Sequence, residues 1–328
     1  MIREESLTDK SNMEGSIANF FKECHDARKL GRKVRVQKPE AIVIAGMGGS
    51  GISGRLLHNY LPELPIFVAN HYDLPEWLPK KTLVFVASYS GNTEETLSMF
   101  QAAHKKGYNI VAMSSGGKLE KMANAKNVTH IKLPTGFPPR LATAFLFVPL
   151  ITVLQNSGII PNKDVELDKA IQALQNPKHK RMGEDISKRL VDRVPLIYSS
   201  KNFSAVAMKW KTDINENAKT PAFHNTYSEH NHNELNGFLN LPARFHVIIL
   251  RDEDDNRHIQ KRFDITKKII RETGTTVTEI MIRGDNKLSK ILSTMHIGLW
   301  AAYHLALAYG TDPTPVPVIE VLKRELKK

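Results

Sequence analysis
The chain has 328 residues, enough for two α/β domains or one large one. At 41% hydrophobic and 24% charged, its composition is that of a soluble globular protein. The net charge of +12 admits a nucleic-acid partner, but the basic residues are scattered rather than set in a stripe with aromatics, so none is expected. The single cysteine, Cys24, excludes an internal disulfide and a four-cysteine zinc site. The polar first dozen residues carry no signal-peptide pattern, so a cytoplasmic location is expected.

Residues 1–15 read as frayed, and an amphipathic helix is predicted over 16–29, with Ile17, Phe20, Phe21 and Cys24 on its apolar side. The run Ala41-Ile42-Val43-Ile44-Ala45 reads as a buried parallel strand. A glycine loop follows, Gly46-Met47-Gly48-Gly49-Ser50-Gly51, and then a short helix over 55–61. Strand, glycine loop and helix N-terminus make a ready anion site, because backbone N–H groups and the helix dipole converge there. The spacing of Gly46, Gly48 and Gly51 fits the dinucleotide fingerprint, but the next strand, 66–69, ends in Asn70-His71 rather than an acid. No Gly-Lys-Ser/Thr follows either, so the Walker pattern fails.

A third strand, 83–87, runs into Ser88-Tyr89-Ser90-Gly91-Asn92-Thr93 and a helix to about residue 106. A helix cap needs one hydroxyl; Ser88, Ser90 and Thr93 supply three, which suits a phosphate monoester. Strands over 109–113 and 130–132 follow, then a proline- and glycine-broken loop over 134–140. Arg140 opens a long apolar helix that ends near Asn156. The second half repeats the alternation: strand 195–199, helix 203–217, strand 245–250, helix 257–273, strand 277–282, helix 288–309 and a short final helix from 315. The apolar stretches 142–154 and 291–309 are too short or too polar to span a membrane and read as buried helices. The fold class is α/β, with two doubly wound, mostly parallel sheets and flanking helices. The expected division is 1–155, bearing the phosphate-binding loops, and 156–328, bearing catalytic segments.

The segments Gly48-Gly49-Ser50-Gly51 and Ser88-Tyr89-Ser90-Gly91-Asn92-Thr93 together resemble the sugar isomerase (SIS) domain. More narrowly, the chain resembles the bifunctional phosphoglucose/phosphomannose isomerases found largely in archaea. The likeness extends to Pro138-Pro139-Arg140, Asn215-Glu216-Asn217-Ala218-Lys219, His232-Asn233-Glu234 and the segment 315–326. It implies two SIS-type sheets, phosphorylated hexose substrates, and a homodimer with shared sites. It also implies aldose–ketose isomerisation through a cis-enediol, with Gly48, Gly49, Ser50, Ser88, Ser90 and Thr93 binding the substrate. Glu216 is then the base, Arg140 the cation beside the enediolate, and His232 the ring-opening group. Lys323 assists at the ring oxygen, chosen over Lys327 and Lys328 because its apolar neighbours Val318, Ile319, Leu322 and Leu326 form a stripe read as packing inward. A threonine near C2 is implied, with Thr311 and Thr314 both candidates.

The run Glu229-His230-Asn231-His232-Asn233-Glu234 also has the donors of a metal site. His230 and His232 share a face on a strand but not on a helix. The resemblance implies ring opening without metal, and no cofactor is expected. Two other readings are an SIS isomerase for another sugar phosphate and a sugar-phosphate-binding regulator. SIS regulators normally carry a DNA-binding segment, and none is seen here.

Overall fold
The computed structural model describes residues 8–326. The described helices are α1 (Met13–Ala18), α2 (Phe20–Ala27), α3 (Gly48–Tyr60), α4 (Glu94–Lys105), α5 (Gly117–Ala125), α6 (Thr143–Asn156), α7 (Asp164–Leu174), α8 (Lys178–Leu190), α9 (Ser204–Asp213), α10 (Arg257–Glu272), α11 (Lys287–Ala308) and α12 (Pro317–Glu325). The strands are β1 (Ala41–Ala45), β2 (Ile66–Ala69), β3 (Thr82–Ala87), β4 (Asn109–Ser114), β5 (Thr129–Lys132), β6 (Val194–Ser200), β7 (Phe223–Tyr227), β8 (Phe245–Arg251) and β9 (Thr276–Met281). They form two sheets, ordered β2-β1-β3-β4-β5 and β7-β6-β8-β9, and every pairing is parallel.

The chain divides into two compact units. One comprises Asn19–Gln175 with Gly284–Ile291 and holds the first sheet; the other comprises the described parts of Met1–Ala18, Asn176–Arg283 and Leu292–Lys328 and holds the second. Within the first unit, every residue of β1 and β3 is buried, as expected of central parallel strands covered on both faces. Val43, Val84, Val86, Met99 and Phe100 build the core on one face. In the second unit Leu196, Tyr198, Val247 and Ile249 pack with Phe263 and Ile270 of α10.

Four local expectations change. Residues 8–15 are not frayed: both carboxylate oxygens of Asp9 accept the N–H groups of Met13 and Glu14, at 2.8 and 2.9 Å, capping α1, while residues 1–7 of the expected frayed stretch lie outside the described residues. The expected single helix over 16–29 is two, broken at Asn19. Helix α3 begins at Gly48, inside the glycine run rather than after it. Strand β7 adds an edge to the second sheet where no apolar run announced one, and only its last residue, Tyr227, is buried. Helix α11 is long and apolar enough to cross a membrane, yet 89% of its apolar window is buried inside the fold. It is a core helix, as its polar residues indicated.

Candidate active site
In the first unit β1 lies between β2 and β3. The chain therefore leaves β1 towards one side and returns to build on the other. Such a switch point opens a crevice outside the carboxyl ends of the two central strands. Both anion-ready turns lie there. The first four N–H groups of a helix have no partner inside it. In α3, those of Ser50 and Gly51 are taken by the Met47 carbonyl, which leaves Gly48 and Gly49 to present theirs outward. A Cβ on Gly49 would come 2.8 Å from the Pro139 carbonyl oxygen. Glycine there lets the Pro138-Pro139-Arg140 turn close against the start of α3.

The second turn uses its hydroxyls unevenly. Thr93 occupies the cap position of α4 but makes no capping bond with its side chain. Its hydroxyl lies 2.9 Å from that of buried Ser88. Ser90 is exposed and accepts the Asn92 N–H at 3.3 Å, which leaves its own proton to donate. Gly91 has φ +68°, and a Cβ on it would meet the Gly116 carbonyl oxygen at 1.8 Å. That contact belongs to a third turn, 115–117, after β4, which sequence reading missed. Ser115 donates to the Tyr89 carbonyl at 2.7 Å, and Asn92 accepts the Lys118 N–H at 3.0 Å. The signal was present: Ser114-Ser115-Gly116-Gly117 after an apolar strand repeats the pattern of the other two turns. The Tyr89 hydroxyl donates to the Pro134 carbonyl at 2.8 Å and accepts the Phe137 N–H at 3.0 Å. It thereby ties the hydroxyl turn to the loop that ends in Arg140.

Arg140 does not open α6; it sits in the turn before it, and Ala142 is the cap. The Pro138 carbonyl accepts the N–H groups of Leu141 and Ala142 at 2.9 and 3.2 Å, so the turn leads into the helix. Thr143 donates to the Arg140 carbonyl at 3.1 Å, and Arg140 itself is 4% exposed. A guanidinium so buried is a fixed positive charge in a site of reduced dielectric.

In the second unit Glu216 lies half-buried in a π-turn, Ile214–Ala218, which continues α9 without a break. π-turns are rare and collect at functional sites. Lys219 follows in the left-handed region, φ 54°. Its ammonium donates to the carbonyls of Asn217, Asp312 and Pro313 at 3.0, 2.9 and 3.0 Å. This lysine brings the 311–314 segment, with Thr311 and Thr314, against the turn that carries Glu216. The Thr314 N–H donates to the Asp312 carboxylate at 3.0 Å.

The two histidines of the 229–234 run separate. His230 is fully buried, stacked on Tyr198 with ring centres 4.4 Å apart and edge-on to Tyr227 at 4.3 Å. Burial pulls its pKa down to about 4. His232 is exposed. Glu234 accepts from the Tyr198 hydroxyl and from the Asn225 amide, both at 2.5 Å, which anchors the segment beyond His232. Among the described residues no group of three His, Cys, Asp or Glu side chains is close enough to hold a metal ion.

Lys323 lies on α12, and the expectation that its neighbours pack inward is wrong. No residue of α12 is buried. Val318 is 81% exposed, Leu322 58% and Leu326 70%. The stripe is real, but no described residue covers it. Lys327 and Lys328 lie outside the described residues.

Residues 179–326 match the bacterial phospho-glucose isomerase C-terminal SIS domain. The chain is 34% identical over 331 residues to the bifunctional phosphoglucose/phosphomannose isomerase of Caldicellulosiruptor bescii, covering 95% of this chain and 98% of that one. It is 37% identical to the protein of the same name from Thermoplasma volcanium, over 92% and 96% of the two chains. The chain belongs to the bifunctional phosphoglucose/phosphomannose isomerase family. A solved hypothetical protein from Thermus thermophilus shares the fold, with a TM-score of 0.74 at 16% identity over 95% of this chain and 90% of that one. The matched SIS domain contains Glu216, His232, Thr311, Thr314 and Lys323, while the three strand-end turns and Arg140 precede it.

This member of the isomerase family also buries an acid that the sequence did not mark. Glu23 on α2 is 6% exposed, and burial pushes its pKa up from 4.5 to about 8. It sits near Cys24 and Tyr89, both of which feel its charge. A raised acid pKa favours the folded state fully below the unfolded value, and that contribution is lost as pH rises towards the folded value. Glu23→Gln removes the ionisation from both states. It is therefore expected to match the wild type near pH 4.5 and to be more stable by roughly 3 kcal/mol at pH 7. Urea unfolding of both proteins at several pH values measures this. A difference that stays flat with pH would show that the carboxyl ionises normally in the fold.

Proposed function
We propose that the protein interconverts glucose 6-phosphate or mannose 6-phosphate with fructose 6-phosphate through a cis-enediol. The observation that carries the reading is the pair of turns at the switch point of the first sheet. Their N–H groups and a hydroxyl cluster left out of helix capping suit one phosphate monoester. Gly48, Gly49, Ser50, Ser88, Ser90 and Thr93 hold it, within residues 1–155. The names of the relatives support the same chemistry.

His232 moves the proton between the C1 hydroxyl and the ring oxygen, with Lys323 at that oxygen, and so opens the ring. The carboxylate of Glu216 then takes the C2 proton. The C2–H electron pair forms the C1–C2 double bond, and the aldehyde oxygen gains negative charge beside Arg140. The C2 hydroxyl proton then passes to O1, and as the O2 electron pair forms the C2 carbonyl the C1–C2 double bond takes the proton back from Glu216 at C1, which gives the ketose. Both epimers lose their C2 configuration in the planar enediol. Thr314, or Thr311 in its place, lines the C2 position and leaves room for either hydroxyl orientation. The protein works as a homodimer, supported by the uncovered apolar stripe of α12 and the exposure of His232. A doubly charged sugar phosphate does not cross a bilayer unaided, which supports a cytoplasmic location.

Each aldose phosphate is supplied separately and fructose 6-phosphate is measured, with sedimentation of the same sample. The expected result is a dimer whose kcat/KM values for the two epimers lie within about tenfold, since pocket contacts of this size discriminate by about 1–3 kcal/mol. Turnover of the glucose ester alone would leave a single-substrate isomerase. Binding without turnover of either would leave a sensor, and a monomer with full activity would remove the shared-site reading.

A further inference from the structure
We infer that the buried ion pair between Lys209 and Asp213 is a positioning device for Glu216, an inference that rests on Glu216 being the base. The ammonium of Lys209 donates to the carboxylate of Asp213 one helical turn on, and each side chain is 1% exposed. Asp213 is the last residue of α9 and the first neighbour of the π-turn. Backbone angles run through it without interruption, φ −65° and ψ −41°, so the helix changes pitch here rather than stopping. A wider turn rotates every later side chain about the helix axis. The residue at which the pitch changes therefore decides where the Glu216 carboxylate points.

The pair is placed to fix that residue. It closes the last regular turn of α9 with a charge-assisted bond between two residues one turn apart on the same face. A wide turn that began one residue earlier would change the offset of 209 and 213 around and along the axis, and the bond in its present geometry holds the regular turn closed as far as Asp213. Trp210, beside Lys209, donates its indole N–H to the Thr294 carbonyl of α11 at 2.8 Å. Thus α9 cannot turn as a whole to compensate. Beyond Glu216, Lys219 pins the other end of the turn through its three carbonyl bonds. The base is held between two lysines, neither assigned a part in proton transfer.

Stability does not require such a pair. Desolvating two charges costs more than their attraction often returns, and apolar replacements of similar volume are frequently neutral or stabilising. The pair is better explained by the register it imposes.

The test compares full-length wild type, Lys209→Met/Asp213→Leu and Glu216→Gln. The double variant removes both charges of the pair together. It is expected to melt at or above the wild-type temperature and keep KM for fructose 6-phosphate within about twofold. Its kcat should fall about 10- to 100-fold, with solvent deuterium exchange at C1 of fructose 6-phosphate slowing in step, the range that a misplaced general base forfeits. Wild-type kcat in the double variant overturns the inference, as does a higher KM at unchanged kcat. A large drop in melting temperature overturns it too, because the pair would then be a stability element. If Glu216→Gln still exchanges label at the wild-type rate, the assignment of the base fails instead, and that outcome is distinct from the others.

Discussion
Glu216→Gln is expected to lower kcat by about two to four orders of magnitude while KM stays within about twofold. The substitution keeps the shape and one acceptor oxygen but cannot take a proton. The turns proposed to hold the phosphate follow β1 and β3, and Glu216 lies in the π-turn after α9, so the substitution leaves those turns unaltered. An interaction made only in the transition state lowers kcat and kcat/KM together. Exchange of the C2 proton with heavy water reports the same step without a coupled assay and should fall by the same factor. A variant that loses turnover yet exchanges at C2 would place Glu216 in ring opening or product release, and another carboxylate would have to be the base.

Why Glu216 could be nominated from sequence, but its setting could not, is a matter of local against tertiary signals. The central strands of both sheets announce themselves as apolar runs, and 41–45, 82–87 and 245–251 fall within a residue or two of expectation. The polar sequence Phe223-His224-Asn225-Thr226-Tyr227 becomes a strand because the edge of β6 offers its backbone bonds, which no window of five residues can reveal. Glycine's poor helix propensity argued for a loop through residue 54. Close packing against Ala87, Pro139 and Ile44 instead makes glycine the residue that lets α3 begin at 48. Nothing in Ile-Asn-Glu-Asn-Ala marks a π-turn; the wide turn is visible only in the fold. The apolar stripe on α12 was read as packing inward, and its residues are exposed. Periodicity does not say whether the cover is the same chain, and the described residues do not supply it. Buried groups such as Glu23, Lys209 and Asp213 escaped for a related reason: charged residues are read as surface until a structure buries them.

Replacing Ser90 and Thr93 together by alanine is expected to lower kcat/KM by about two to four orders of magnitude, mostly through KM. Each hydrogen bond to a charged phosphate contributes roughly 1.5–3 kcal/mol, so two lost bonds give roughly 3–6 kcal/mol. The fold should tolerate the change. Thr93 makes no side-chain cap to α4, so its loss does not uncap the helix. Ser88 loses the Thr93 hydroxyl at 2.9 Å but keeps the Thr93 backbone N–H at 3.4 Å, so the cost is on the order of 1 kcal/mol. The Tyr89 bridge to 134–137 and the Asn92 bridge to Lys118 are untouched, and they hold the turn in place. Inorganic phosphate provides an independent measure, because it needs the turn but not Glu216. Competitive inhibition by phosphate should weaken in parallel with the rise in KM, and kcat at saturation should stay within about tenfold. A double variant with unchanged KM and undiminished phosphate inhibition would move the phosphate off the β3 turn. The Gly48–Gly49 amides and the 115–117 turn would then be the remaining places on this sheet edge able to hold it.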